Sequence, residues 1–385
     1  MIPYGKQHIT KDDIKAVKDV LNSDFLTQGP CVEKFENSIT DHTKSKYGVA
    51  CNSATSALHI ACMAMGVSKN DIVWTSSNTF VASANCALYC GASVDFVDID
   101  PNSFLISIEK LKDKLLKAKN ENKLPKVLIP VHLCGQSCDM ERIHELSKEY
   151  GFGVIEDASH AIGAFYKNMP VGSCIYSDIC VFSFHPVKII TTGEGGIAVT
   201  NDIDISQKMS LYRSHGITRD RLKMREPNGG GWYYEQLELG YNYRMTDIHA
   251  ALGLSQMNRL GEYIKKRHEI AKIYDEELSQ LPIKLPLQNE DSFSSFHLYV
   301  IRLELKKIKM SHENVFNTLR ENGIGVNLHY IPVHLHPFYK NLGFKDGDYP
   351  ESEKYSSEAI SIPIHHSLTR KDQNYVIKIL KKILK

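Results

Sequence analysis

Short apolar runs alternate with segments of helical periodicity over about the first 200 residues, and this alternation constrains the fold more than any other feature. It is typical of a mostly parallel sheet covered by helices, because parallel neighbours need a long crossover between them. The sequence therefore predicts an α/β fold. The candidate strands are residues 47–51, 71–75, 93–97, 126–131, 153–156, 179–182 and 196–200.

The pattern changes after about residue 218. Between residues 219 and 243 the alternation is lost, and the run Pro227-Asn228-Gly229-Gly230-Gly231 is typical of a loop. Residues 246–281 are compatible with one long helix, which ends at Pro282 because proline cannot continue the hydrogen-bond ladder.

We expect that helix to join two domains. The large domain, residues 1–245, includes an N-terminal arm and a first helix capped at Thr10. The smaller C-terminal α+β domain, residues 246–385, follows the bridge and contains a strand near 297–303 and helices near 311–322 and 370–385.

Charge and hydropathy exclude several classes of function. The 46 basic and 45 acidic side chains leave a net charge of +1, so no strong field attracts polyanions and we expect no nucleic-acid partner. The start lacks an apolar signal core, and we find no run of 18 apolar residues. We therefore expect a cytoplasmic protein without a membrane partner.

Cysteine and histidine clusters raise the question of a metal. Cys86 and Cys90, like Cys134 and Cys138, are four residues apart and could share one face of a helix. The nine cysteines are scattered through apolar segments without a C-x-x-C pair, which favours reduced core thiols. The pairs His334/His336 and His365/His366 have no cysteine or carboxylate at convincing ligand spacing, so we expect no metal.

Lys188 is the first candidate for catalysis. It lies in the segment Phe184-His185-Pro186-Val187-Lys188-Ile189-Ile190, directly after a predicted strand. A lysine among apolar residues loses hydration, which lowers its pKa and makes the amine a nucleophile able to form a Schiff base. Taken alone, the pattern also fits a lysine whose stem packs while its head reaches water.

Asp157 is the second candidate, in Glu156-Asp157-Ala158-Ser159-His160-Ala161. It follows the predicted strand at 153–156, and the carboxyl ends of parallel strands are where open α/β sheets bind ligands. A carboxylate there can hold a protonated pyridine nitrogen, which makes the ring of pyridoxal 5'-phosphate (PLP) an electron sink. Asp157 alone could equally cap a helix.

A third segment, Cys51-Asn52-Ser53-Ala54-Thr55, runs from a strand end into a predicted helix. Free N–H groups at a helix start bind phosphate, although a simple capped helix explains the same residues. A phosphate site, a strand-end carboxylate and a buried lysine in this order make a PLP enzyme the better interpretation.

The order of these segments, with Gly193-Glu194-Gly195-Gly196 and Gly240-Tyr241-Asn242-Tyr243-Arg244-Met245, resembles the DegT/DnrJ family of sugar aminotransferases over essentially the whole chain. The resemblance implies a fold-type-I PLP-dependent transferase with a seven-stranded, mostly parallel sheet. Within the family, residues 2–7, 23–30 and 183–196 are similar to members of the pseudaminic-acid pathway.

The resemblance also implies roles for individual residues. Lys188 would carry the cofactor and Asp157 would pair with its ring nitrogen. His160 would lie near the ring hydroxyl, where many relatives have glutamine. The remaining cofactor contacts would come from Ala54, Thr55, Phe80 and Ser183, and from Asn242 of a neighbouring subunit, so that a homodimer shares its active sites.

Substrate contacts are implied in the same way. They are Tyr4, Asp24, Phe25, Leu26, Thr27, Ala54, Ser183, Asn242, Leu328, His329, Tyr330 and Ile331. The implied reaction transfers the amino group of L-glutamate to C4 of a UDP-linked 4-keto-6-deoxy-N-acetylhexosamine. Arg213 and Arg244 are further candidates for the distal carboxylate of glutamate.

Three alternatives accompany this interpretation. The substrate could be a dTDP- or GDP-linked keto sugar. Related dehydratases carry histidine in place of the lysine, so Lys188 favours amino transfer. A regulatory protein that keeps the fold without catalysis is disfavoured, because all the matched positions hold residues competent for the chemistry.

Overall fold

The computed structural model describes residues 1–226 and 229–384. Pro227 and Asn228 of the predicted loop lie outside the described residues. The helices are α1 Lys11–Leu21, α2 Pro30–Thr43, α3 Ala54–Ala64, α4 Ala82–Tyr89, α5 Ile108–Asn120, α6 Met140–Tyr150, α7 Ile203–Arg213, α8 Asp247–Met257, α9 Leu260–Leu278, α10 His312–Glu321, α11 Pro337–Asn341, α12 Pro350–Glu358 and α13 Arg370–Ile383.

The strands are β1 Tyr47–Cys51, β2 Ile72–Ser76, β3 Ser93–Val97, β4 Val127–Ile129, β5 Gly153–Asp157, β6 Phe165–Tyr166, β7 Met169–Pro170, β8 Ile179–Ser183, β9 Gly196–Thr200, β10 Ile217–Thr218, β11 Glu235–Gln236, β12 Ile283–Lys284, β13 Ser292–Phe293, β14 Tyr299–Leu303 and β15 Ala359–Ile362. The segment predicted to be a loop contains the short strand β11, which pairs antiparallel with β10 directly before that segment.

All seven predicted strands of the first half form one sheet, in the order β1-β9-β8-β5-β4-β2-β3. The pairs from β8 to β3 are parallel, and β9 is antiparallel to both of its neighbours. This confirms the predicted α/β fold. The carboxyl ends of β4, β5 and β8 consequently meet at one edge of the sheet.

Helices cover both faces of this sheet, which explains why its strands are apolar runs rather than alternating ones. In β5, Ile155 packs into a core with Val181 and Ala198, whereas the adjacent Val154 packs into a second core with Leu128 and Trp74. Successive side chains of a strand point to opposite faces, so both must be apolar.

The expectation of one helix over residues 246–281 is wrong. The helix is broken between α8 and α9, where Arg259 has φ −114° and ψ 6°. The Arg259 guanidinium pairs with the buried carboxylate of Asp13 at the start of α1. Ser255 and Gln256 near the end of α8 also donate to Asp13, so this carboxylate holds the end of α8 and the break together against α1.

The C-terminal residues enclose a separate apolar core. The antiparallel sheet β12-β14-β15 packs with α9, α10 and α13 around Tyr299, Ile301, Val315 and Leu380. The predicted strand and both predicted helices of this region are present as β14, α10 and α13. Within residues 1–226 and 229–384, none of the helices has the length and apolar character needed to cross a membrane.

Candidate active site

Lys188 lies in a tight loop between β8 and β9. Its N–H donates to the carbonyl of His185, and the loop is tied back where Thr192 N–H donates to the carbonyl of Phe184 over 3.0 Å. The flanking Phe184 and Ile190 are fully buried, so the apolar neighbours fix the loop while Lys188 stays half-buried. Burial lowers the pKa of Lys188 to about 8, against the opposing effect of the Asp157 charge.

Asp157 is the last residue of β5 and is buried at the sheet edge. Its Oδ2 accepts a hydrogen bond from Ser83 Oγ at 2.6 Å, and its Oδ1 accepts from Ser159 N–H at 3.1 Å. Two donors therefore fix the orientation of the carboxylate.

The start of α3 provides a site for an anion. Ser53 caps the helix by accepting from Ser56 N–H, whereas the N–H groups of Ala54 and Thr55 meet no acceptor in the described part of the chain. A Cβ on Gly196 would lie 2.3 Å from Ala54 N, so only glycine lets β9 approach this helix so closely. Two free donors at the positive end of a helix fit a phosphate group.

One cavity of about 400 Å³ joins these three features. Its lining includes eleven of the residues predicted for the site: Tyr4, Ala54, Thr55, Phe80, Asp157, His160, Ser183, Lys188, Leu328, His329 and Tyr330. These residues come from six separate segments of the chain, which the sheet edge and the C-terminal residues bring together.

The other predicted residues lie away from this cavity. Asp24 and Phe25 line a different groove beside α1 and α8, and Phe25 and Leu26 are about half exposed. Thr27 pairs with Thr246, Asn242 with Ser214, and Ile331 is exposed. Within a single chain, these residues do not reach Lys188.

Three histidines surround the lysine. Burial, followed by the positive charge of Lys188, holds the pKa of His160 well below its usual range, and the same two causes lower the pKa of His329 to about 3. Burial likewise lowers the pKa of His297. These rings are therefore neutral at physiological pH, and Lys188 is the cation that they face.

Sequence reasoning missed four polar residues of the site: Thr79, Ser83, His297 and Asn327. Ser83 lies within the apolar helix α4, and a buried serine there is a weak signal for a partner elsewhere. His297 follows the polar pair Ser294-Ser295 at the entrance to a buried strand, a position that could have been flagged.

Arg213 and Arg244 lie together in another pocket, beside Gln28 and Glu36. Arg213 pairs with Glu36 at 2.7 Å and donates to the carbonyl of Ala50 at 3.0 Å. Neither arginine lines the cavity of Lys188.

One histidine of these pairs has a structural partner of its own. His334 is buried and lies 2.9 Å from Glu353. Among the described residues, no group of three or more histidine, cysteine, aspartate or glutamate side chains is arranged to hold a metal ion.

Comparison with known proteins agrees with this geometry. The model of the DegT/DnrJ/EryC1/StrS aminotransferase family matches residues 7–381. The UDP-4-amino-4,6-dideoxy-N-acetyl-beta-L-altrosamine transaminase of Campylobacter jejuni is 39% identical over 385 residues, covering 100% of this chain and 98% of the relative.

Two solved proteins have closely similar structures. PseC of Helicobacter pylori, an aminotransferase involved in pseudoaminic acid biosynthesis, matches with a TM-score of 0.89 and 31% identity, covering 100% of this chain and 99% of PseC. Spr1654 of Streptococcus pneumoniae in its PMP form matches with a TM-score of 0.89 and 30% identity, covering 100% and 99%. Its PLP form matches with a TM-score of 0.88 and 30% identity, covering 99% and 98%.

Proposed function

The chain belongs to the DegT/DnrJ/EryC1/StrS aminotransferase family, and on that premise we propose that it transfers the amino group of L-glutamate to C4 of a UDP-linked 4-keto-6-deoxy-N-acetylhexosamine. The products are 2-oxoglutarate and UDP-4-amino-4,6-dideoxy-N-acetyl-beta-L-altrosamine, an intermediate for pseudaminic acid. The family's cofactor is PLP.

One observation carries this proposal: Lys188, Asp157 and the start of α3 line the same cavity. The geometry fits PLP, because the group needs an amine for attachment, a carboxylate for its ring nitrogen and donors for its phosphate. Similarity to the altrosamine transaminase over the whole chain supports the choice of sugar.

We propose that residues lining the cavity bind the cofactor. Lys188 Nζ would attach it covalently, Asp157 would pair with the ring nitrogen, and Phe80 would pack on the ring. The N–H groups of Ala54 and Thr55, together with Ser183, would bind the phosphate. Bound PLP supplies the electron sink that stabilises the carbanion formed when a substrate carbon loses its proton.

We assign the proton transfers of the reaction to Lys188. With the cofactor bound, the Lys188 amine would take the proton from Cα of glutamate, and in the second half-reaction it would deliver a proton to C4 of the sugar. The lowered pKa of about 8 leaves a substantial share of this amine neutral near pH 7.5, as a base requires. The carboxylate of Asp157 would hold the proton on the ring nitrogen of the bound cofactor.

We further propose a homodimer with shared active sites. Asp24, Phe25, Leu26, Thr27, Asn242 and Ile331 lie outside the cavity of their own chain and have exposed or half-exposed positions on the surface. Contact with the partner's cavity would give these residues the roles that the family resemblance implies. The nine unpaired cysteines support our placing of the enzyme in the cytoplasm.

A substrate panel tests the proposal. The purified holoenzyme is incubated with L-glutamate and with UDP-, dTDP- or GDP-linked 4-keto-6-deoxy sugars, and products are identified by mass spectrometry and NMR. We expect kcat/KM to be highest for the UDP-linked N-acetylhexosamine, with an amine at C4. A higher kcat/KM for a dTDP or GDP sugar would replace the proposed substrate, and Lys188→Ala is the inactive control.

A further inference from the structure

The ring of His160 is hydrogen-bonded at both nitrogens. Cys134 N–H donates to Nδ1 over 3.2 Å, and Nε2 lies 3.1 Å from the hydroxyl oxygen of Tyr330. Because a backbone N–H can only donate, Nδ1 is the unprotonated nitrogen of a neutral ring and Nε2 carries the proton. Nε2–H therefore donates to the oxygen of Tyr330.

The donor at Cys134 is fixed by close packing. The next residue, Gly135, has φ +100°, and a Cβ there would lie 2.4 Å from Ser295 Oγ and 3.0 Å from the carbonyl oxygen of His160. Ser295 Oγ also donates to that carbonyl over 2.8 Å. The loop that carries the Cys134 N–H is thus packed directly on the backbone of His160.

The imidazole ring of His160 is also confined by its neighbours. The ring of His297 lies 4.4 Å away, and the ring of Tyr330 is stacked at 6.1 Å with 26° between the planes. The low pKa of His160 keeps the ring neutral, so this tautomer persists through the physiological pH range. His160 therefore has neither a free nitrogen nor room to reorient.

The hydroxyl of Tyr330 has a proton that is not used within the protein. Its oxygen accepts from His160, and in the described residues its O–H reaches no protein acceptor. Burial raises the pKa of Tyr330, so the hydroxyl keeps its proton. The side chain lines the cavity with its ring 5.9 Å from that of Phe80. The O–H must then point into the cavity.

We propose that His160 is a positioning residue, and that the chain from Cys134 N–H through His160 presents the Tyr330 hydroxyl proton to an oxygen acceptor of the reactants. This inference rests on the proposed function. It differs from a direct contact of His160 with the cofactor, because both ring nitrogens are already bonded. Two oxygens have the required chemistry: the ring hydroxyl oxygen of PLP and an oxygen of the keto sugar.

A double-mutant cycle tests the proposal on the holoenzyme, with the variants Tyr330→Phe, His160→Leu and the pair. Each variant is measured for the visible spectrum of the resting enzyme against pH, for the rate of the half-reaction with glutamate, and for KM and kcat with the keto sugar that the wild type uses best. His160→Gln is the matched control, because its amide can accept from Cys134 and donate to Tyr330.

We expect Tyr330→Phe and His160→Leu each to lower about 10-fold either the rate of the half-reaction with glutamate or kcat/KM for the keto sugar. We expect both quantities in His160→Gln to stay within about 2-fold of the wild type. In the Tyr330→Phe background, His160→Leu should add less than about 2-fold, because its partner is already gone. A spectral shift in Tyr330→Phe identifies the cofactor oxygen as the acceptor. A raised KM for the sugar with an unchanged spectrum identifies a sugar oxygen.

Two results would overturn the proposal: a Tyr330→Phe enzyme unchanged in all three readouts, or a further 10-fold loss from His160→Leu in the Tyr330→Phe background. If His160→Leu fails to fold, Tyr330→Phe with His160→Gln still decides the donor role. Poor turnover of the UDP sugar by the wild type would contradict the proposed substrate only, since the cycle uses whichever keto sugar the enzyme accepts.

Discussion

Ser83 Oγ donates a hydrogen bond to Oδ2 of Asp157 over 2.6 Å, although the two residues are 74 positions apart in the sequence. Thr79 Oγ1 lies 2.8 Å from Ser83 Oγ, and it must be the donor of that pair because the Ser83 proton is committed to the carboxylate. Helix α4 and the residues before it thus present a short relay of hydroxyl groups to Asp157, which fixes the side chain that we assign to the ring nitrogen.

Removing this hydroxyl should weaken the assigned role of Asp157. We expect Ser83→Ala to lower kcat/KM and PLP affinity about 10-fold, the size of a lost hydrogen bond to a charged group. Steady-state kinetics give kcat/KM, and titration of the cofactor-free enzyme with PLP gives the PLP affinity. Ser76→Ala is the matched control, because Ser76 is a buried serine whose Oγ has no partner among the described residues. Equal losses in both variants would contradict a specific effect on Asp157.

The low pKa of Lys188 predicts how cofactor capture depends on pH. Only the neutral amine attacks the PLP carbonyl, so below pH 8 the initial rate should rise about tenfold for each pH unit. Above the pKa of about 8 it should level off. Rapid mixing of cofactor-free enzyme with PLP, followed by absorbance, gives this profile. A rate that still rises about 20-fold between pH 8.5 and 10, as for an ordinary lysine of pKa about 10.4, would contradict the assigned environment.

The close approach of β9 to α3 predicts the effect of a single methyl group. Gly196→Ala would place a Cβ 2.3 Å from Ala54 N and 2.5 Å from Ala54 Cα. Backbone atoms cannot move aside cheaply, so we expect PLP affinity to fall at least about 10-fold and Tm to decrease. Gly261→Ala in α9 is the control, because its Cβ would meet nothing within 4 Å. Unchanged PLP affinity in Gly196→Ala would argue against phosphate binding at this helix.

Shared active sites predict complementation between two inactive variants. Lys188→Ala and Asn242→Ala subunits, mixed and reassociated, form hybrid dimers in which one of the two sites has both its lysine and its asparagine. Statistical mixing makes half of the dimers hybrid, so activity should recover to about a quarter of the wild type. No recovery, with hybrids demonstrated by mass spectrometry, would place Lys188 and Asn242 in the same chain's site.

The sheet could be predicted from the sequence because its strands are buried on both faces and read as continuous apolar runs. Their ends were less well determined: the regular strand in the run 126–131 is only β4, and beyond Pro130 an isolated bridge joins Val131 to Asp157. The break at Arg259 could not be predicted, because its partner Asp13 is 246 residues away. A helical pattern carries no information about so distant a contact.

The same distinction, between features set by local sequence and features set by distant contacts, applies to the site. The segments around Lys188, Asp157 and Ala54 follow strands and could be assigned to one sheet edge by topology. Ser83 could not, because its role arises from contact with Asp157, 74 positions away in the sequence. Nor does the sequence alone indicate which segments, such as that around Asn242, lie outside the cavity of their own chain.

Covalent trapping of the cofactor tests the central claim most directly. The holoenzyme is reduced with borohydride and digested, and the modified peptide is identified by mass spectrometry. We predict that the phosphopyridoxyl group is found on Lys188, in the peptide between β8 and β9. Modification of another lysine, or a protein that retains no PLP on reduction, would contradict the assignment of the site.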